Sequence, residues 1–169
     1  MKLQFILLFL ALLTTGLMSG IFFTWTNAVT PGIGKLHDLA YLNALQSMNR
    51  VILNIPFYIV FTIPVISLTL VTFFFYSSNP PLAFKLILIA TLIYLLGAFL
   101  VTISGNIPLN NLLDQTNLTS LNLEEAKQLR DQIELKWNYF NLIRTVSAAI
   151  SFGLLLLAAF LLETPILKL

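Results

Sequence analysis

The sequence contains no cysteine. That absence excludes disulfides, thiolate nucleophiles, iron–sulfur clusters and cysteine zinc sites together, and it assigns no compartment. Charge is scarce as well, with nine Lys or Arg and seven Asp or Glu among 169 residues. Soluble domains carry about a quarter charged residues, so these are too few to coat a water-facing surface. A single histidine and seven carboxylates leave little for a metal centre. Only His37 and Asp38 stand side by side, and neighbours in sequence do not make a coordination shell. The net charge of +2 comes without a polybasic block, so nucleic acid is not a partner. No cofactor or metal is expected. A soluble enzyme, a disordered tail and a nucleic-acid binder are all excluded.

Long charge-free runs fill the space that charge leaves. No charge falls in 3–34, 51–84, 86–113 or 145–162, while seven of the sixteen charges crowd into 124–136. Crossing the hydrocarbon core takes about 20 mostly apolar helical residues, and four stretches reach that length. The opening MKLQFILLFLALL has the Lys-then-apolar look of a secretory signal. Its apolar run continues to Val29, longer than a signal core, so it reads as a first span. The expected fold is all-α: one domain, an integral membrane four-helix bundle in contact with lipid. Spans are expected at about 3–29, 51–76, 82–104 and 138–162, with amphipathic or exposed helices at about 38–50 and 122–137.

Local signals place the ends. Pro31-Gly32 reads as the stop of the first span. Within it, Gly16, Gly20, Thr24 and Asn27 share a stripe of close approach, and Asn27 asks for a polar partner. Asp38 is the expected N-cap of the next helix, whose Leu39, Leu42 and Leu45 supply apolar contacts. Asn43, Gln46, Arg50 and Asn54 fall on a separate polar stripe. Pro56 and Pro64 are expected to bend the second span, and SSNPP at 77–81 to form a tight turn. Thr91, Tyr94, Ala98 and Thr102 share the face of the third span that should meet the bundle, and Gly105 suits its C-terminus. Pro108 fits the first turn of a short helix beyond it. Asn122 with Glu125 resembles a capping box opening the last helix. Unbroken from 122 to 162, that helix would be about 60 Å long at 1.5 Å per residue, so its first third must stand outside the membrane.

With four spans, the end of the first, the start of the second, the end of the third and the start of the fourth lie at one membrane face. Asn27, Asn49, Arg50, Asn54, Asn106, Asn110, Trp137, Asn141 and Arg144 all belong to that face, and the opposite one has no comparable cluster. Arginine at the edge of a span snorkels, pairs or faces the bundle interior. For Arg50 and Arg144 two roles stand open: interfacial ion pairs with Asp38, Asp114 or Glu134, or a site where guanidinium and amide donors hold an oxyanion. Trp137, Asn141 and Arg144 fall at i, i+4 and i+7 on one helix face. His37, the one histidine, is a candidate general base at the mouth of such a site, although a lone loop histidine is more often simply solvated.

Four segments carry a resemblance: FFTWTNAVTPGIGKL, LQSMNRVILNIPF, LLGAFLVTISGNIPLNNLL and WNYFNLIRT. In this order they resemble the recurring blocks of the small four-span family that includes the anthrone oxygenases. The most specific parts are GN-x-P-x-N and W-x-x-x-N-x-x-R. Characterised members oxidise a polycyclic anthrone to an anthraquinone with dioxygen, without metal or flavin, whereas most bacterial members have no assigned activity. The resemblance implies Asn106, Pro108, Asn110, Trp137, Asn141 and Arg144 as signature positions, with Asn49 and Arg50 from the second block, and a bacterial cytoplasmic membrane as the location.

Two functions follow as expectations. The first is cofactor-independent oxidation of a lipophilic polycyclic aromatic or quinone-like compound with O2. In it Arg144 and Arg50 hold the anion, His37 takes the proton, and Asn49, Asn54, Asn106, Asn110, Trp137 and Asn141 bind the substrate. The second is a non-enzymatic accessory or scaffold subunit, in a homo-oligomer or larger membrane complex, with the charged 122–136 segment as its docking arm.

Overall fold

The computed structural model describes residues 3–77 and 81–163, the side chain of Glu163 excepted. They form five helices: α1 Leu3–Ile33, α2 Asp38–Ile52, α3 Ile55–Phe74, α4 Pro81–Gln115 and α5 Leu123–Glu163. No strand occurs among the described residues. Helices α1, α3, α4 and α5 are each long and apolar enough to cross a membrane. They close a ring in the order α1, α3, α4, α5, each packed on its two neighbours, and α2 lies across α5 and the last turns of α4.

Two apolar cores follow from this arrangement. Within the ring, Met18, Phe22, Leu68, Val71, Ile87, Tyr94 and Leu155 pack among Ala11, Ala90, Ala98, Ala148 and Ala158. Small residues let membrane helices approach closely where lipid supplies no hydrophobic drive. Hydrogen bonds between Thr72 and Thr91 hydroxyls (2.8 Å), and from Ser151 Oγ to Ala90 O (2.9 Å), tie α3 and α5 to α4. The expected face of Thr91, Tyr94, Ala98 and Thr102 is buried throughout. Beyond the ring, Tyr41, Leu42 and Leu45 of α2 bury against Leu113, Ile133 and Trp137. The capping box forms, with Asn122 N donating to Glu125 Oε2 and Glu125 N to Asn122 Oδ1, both at 2.9 Å. Helix α5 then runs for 41 residues. That is about 60 Å at 1.5 Å per residue, twice the roughly 30 Å hydrocarbon core, so its N-terminal part stands clear of the bilayer.

Several local expectations are corrected. The first span does not stop at Pro31-Gly32: a π-helical turn at Trp25–Val29 precedes them and the helix continues to Ile33. The wider turn shifts the carbonyls a proline ring would otherwise strike. His37, not Asp38, caps α2, its Nδ1 accepting from Ala40 N at 3.4 Å. The chain breaks at Leu53, so Asn54 leaves the stripe of Asn43, Gln46 and Arg50 and instead caps α3 by accepting from Phe57 N at 3.0 Å. Pro56 therefore starts α3 rather than bending it, and only Pro64 lies inside the helix. Gly105 does not end the third span. Helix α4 passes through π segments at Tyr94–Leu100 and Thr102–Asn106 and resumes as α-helix at Ile107, where Pro108 sits in the first turn. A Cβ on Gly105 would lie 2.7 Å from the Phe140 ring, so this glycine serves close approach to α5. The turn expected at SSNPP lies, for Ser78 to Pro80, outside the described residues.

Candidate functional site

At the junction of the two cores, one charged side chain is buried without an opposite charge. Arg144 is 7% exposed, and no carboxylate among the described residues pairs with it. Its guanidinium lies over the Phe22 ring (4.6 Å to the centroid) and the Trp137 ring (5.4 Å). Nη2 donates to Asn141 Oδ1 at 2.6 Å and Nη1 to Thr102 Oγ1 at 3.4 Å, while the buried Nε has no partner. Asn141 is oriented in turn, donating from Nδ2 to Thr26 Oγ1 at 2.7 Å and to Phe22 O at 3.3 Å. Thr145 uses its own proton on Asn141 O (2.9 Å), so at 2.8 Å it accepts from Thr26. This chain of bonds fixes the guanidinium and leaves its Nε–H without a partner.

Arg144 lines a cavity of about 290 Å³. Its walls are aromatic: Phe22 and Trp25 of α1, Phe57 and Phe61 of α3, and Trp137 of α5. Trp25 and Trp137 contact each other at 5.1 Å between ring centroids, and Phe57 stacks on Phe61 at 5.6 Å. Away from the arginine the lining turns to amides. Asn110 Oδ1 accepts from Trp137 Nε1 at 2.7 Å and from Asn49 Nδ2 at 3.1 Å. With its oxygen doubly engaged, the Asn110 amide nitrogen is the donor left over. Asn106 is fully buried beside this wall, donating to Trp137 O at 3.2 Å, and its Oδ1 has no partner. Two helical irregularities supply three of these side chains, since Trp25 sits in one π-helical turn and Thr102 and Asn106 in another. Such turns concentrate at functional sites because they re-aim side chains that a regular helix would point elsewhere.

Residues 54–154 match the anthrone oxygenase family. The chain belongs to that family. No individually curated protein and no solved structure shows significant similarity to it. The family match takes in α3, α4 and most of α5, and so includes Phe57, Phe61, Thr102, Asn106, Asn110, Trp137, Asn141 and Arg144; α1 and α2 add Phe22, Trp25 and Asn49 from outside it.

Of the residues singled out from the sequence, this family member brings together Asn49, Asn106, Asn110, Trp137, Asn141 and Arg144. It does not bring Arg50, His37 or Asn54 to the cavity. Arg50 is solvent-exposed and pairs with Asp114, Nε to Oδ1, at 2.5 Å, the interfacial alternative that its position left open. His37 and Asn54 cap helices, so the atoms that would act as base or ligand are bonded to Ala40 N and Phe57 N. Asn27 is exposed on α1, and its neighbour Thr26 takes the polar partner instead. The aromatic walls and Thr102's contact with Arg144 were not foreseen. Phe57 and Phe61, four residues apart after a proline, were the available signal. Among the described residues, no three His, Asp or Glu side chains stand close enough to share a metal ion.

A second cation is tied down nearby. Arg130 of α5 donates to Glu134 (2.6 Å), Asp38 (3.0 Å) and the carbonyls of Gly34 and Leu36 (both 2.8 Å), and lies over the Tyr41 ring at 4.6 Å. It clasps the α1–α2 connection to α5. Burial, reinforced by the charge of Glu134, pushes the Tyr41 phenol above its ordinary value of 10.0.

Proposed function

We propose that this protein binds the anion of a flat, lipophilic aromatic compound in the Arg144 cavity and oxidises it with O2. The observation that carries the reading is the buried, uncompensated Arg144, which lines an aromatic cavity and whose Nε–H has no partner. Burying an ion without a counter-charge costs several kcal/mol, and an anionic ligand would offset that cost. A cavity of about 290 Å³ lies at the small end of the roughly 300–1,000 Å³ usual for small-molecule sites, which suits a body of a few fused rings between Trp137 and Phe57.

The chemistry needs few parts. Loss of a proton from the CH2 that lies opposite the ketone across the central ring of an anthrone gives an enolate spread over the rings, and charge on its oxygen is stabilised by preorganised donors. Arg144 supplies one and the free amide N–H of Asn110 another, while Thr26 and Asn141 hold Arg144 in place. The carbanion form reacts with O2 at the ring carbon. Overall the CH2 becomes a carbonyl, one oxygen atom enters the product, and the other leaves as water with the two hydrogens. No further reductant enters the balance. The apolar walls favour both the ring system and O2.

The scaffold alternative draws less support, because Arg130 and Glu134, two of the charges that a docking arm would present, are engaged within the molecule. Six Lys or Arg at the polar face against three at the other support a cytoplasmic placement of this face. The test is O2 consumption by purified protein with an anthrone, above the uncatalysed rate. Arg144→Ala should abolish it and Arg50→Ala should not. Equal turnover by Arg144→Ala and the unmodified protein would sink the assignment.

A further inference from the structure

The cavity has a mouth, and its rim is not that of a water-facing cleft. Of the residues lining the cavity, Arg144, Trp137, Phe22 and Thr102 are buried, and the exposed ones are Leu53 (58%), Tyr58 (51%), Ile107 (39%) and Asn111. The opening therefore lies between the start of α3 and the stretch of α4 that begins at Ile107. Around it the apolar exposure continues, with Val51, Ile55, Ile59 and Ile103 all exposed. A soluble protein does not leave such a collar around a ligand entrance; against acyl chains it carries no penalty.

One edge of the mouth is polar. One turn beyond Asn111, Asp114 pairs with Arg50, and Gln46 of α2 donates to the carbonyls of Leu113 (2.7 Å) and Thr116 (3.3 Å). Helix α2 is thereby pinned over the end of α4 as a roof. A polar roof above and apolar side chains below is the profile of the membrane interface, where Tyr and Trp also concentrate. We infer that the cavity opens sideways into the bilayer at headgroup depth, between Leu53 and Tyr58 of the α2–α3 junction and Ile107 of α4, so that its ligand enters as a membrane-dissolved amphiphile. This goes beyond the proposed reaction and holds whichever chemistry follows.

The protein has two tryptophans, and both line the cavity. In the Trp25→Phe variant, Trp137 alone reports on it. Reconstituted in phosphatidylcholine vesicles, that variant should lose most of its emission when the lipid is brominated near the headgroup end of its chains. Iodide in the water should leave the emission unchanged. Adding Ile107→Phe, which fills the mouth from its exposed edge, should restore emission in brominated lipid. A naphthol carrying a long alkyl chain, confined to the bilayer, should quench Trp137, and a naphthol sulfonate outside the vesicles should not. Quenching by iodide but not by brominated lipid would overturn the inference, as would brominated-lipid quenching that Ile107→Phe leaves intact. Brominated-lipid quenching should persist in Arg144→Met, so failure of the anion site and failure of the lateral mouth are read separately.

Discussion

Replacing Arg144 with methionine separates a binding role from a structural one, because the first predicts lost binding with little change in stability and the second a large loss of stability. The guanidinium is held by two hydrogen bonds and two aromatic rings, with no carboxylate partner. Removing it relieves a buried charge, about 2.5–3.5 kcal/mol on membrane insertion scales. Against this, Asn141 Oδ1 loses its donor, at about 1–3 kcal/mol for a buried unsatisfied acceptor. The two cation–π contacts, roughly 1 kcal/mol each, are partly replaced by sulfur–aromatic contacts of about 0.3–1.5 kcal/mol. The sum lies within about 1 kcal/mol of zero on these scales. Adding Asn141→Leu removes the orphaned oxygen and should make the double variant more stable than Arg144→Met alone. Meanwhile binding of an aromatic anion should collapse, and turnover should fall by about 10²–10³, as for loss of one oxyanion donor. The assay is unfolding in detergent followed by tryptophan emission, run beside ligand quenching of the same signal. A structural arginine behaves otherwise: breaking a buried pair costs about 3–5 kcal/mol. A large loss of stability in Arg144→Met with ligand binding unchanged would refute the reasoning.

Three further outcomes are expected. Gly105→Ala drives a methyl to within 2.7 Å of the Phe140 ring and should destabilise by about 1–3 kcal/mol in detergent unfolding, with Phe140→Leu in the same chain recovering most of the loss. The contribution of Tyr41 to folding stability should be flat below pH 10 and decline as pH rises above it. The buried Tyr41 phenol is raised in the folded state, so only the unfolded chain releases that proton near the ordinary tyrosine value; Tyr41→Phe should remove this part of the decline. Arg130→Ala strands Glu134 and the carbonyls of Gly34 and Leu36 and should cost about 3 kcal/mol, with early proteolysis in the 34–38 connection as its signature.

The spans, the Asn122–Glu125 capping box and the clustering of asparagines at one membrane face were legible because each depends on spacing along one helix or on connectivity alone. Depth in the membrane could be read; azimuth could not. Connectivity puts Arg50 and Arg144 at the same end of the bundle, yet one faces Asp114 on the surface and the other an aromatic interior. Nothing in their neighbouring residues separates them. The π turns add to the difficulty: each departs from the 3.6-residue period on which face assignments rest. Thus Thr26 rather than Asn27 meets Asn141, and Gly105 falls inside a helix that the glycine was expected to end. The aromatic walls were hidden for a different reason. In a chain with 14 phenylalanines, those lining a cavity have the same signature as those facing lipid.

The placement of Arg144 explains why the irregular turns are tolerated. Phe22 belongs to the core within the helix ring and Trp137 to the core beyond it, and the guanidinium is packed between them. Deeper in the bundle the cost of the charge rises, and further out water would screen its pull on an anion. Only at this boundary can a cation be both dry enough to bind strongly and near enough to a portal for an amphiphile to reach it. Holding it there needs donors and acceptors from three helices at one level, Thr26, Thr102 and Asn141. Two of these three, Thr26 and Thr102, are held there by π turns. The π turns do so at the expense of local helix stability, and the small residues and interhelical hydrogen bonds of the remaining bundle carry that expense.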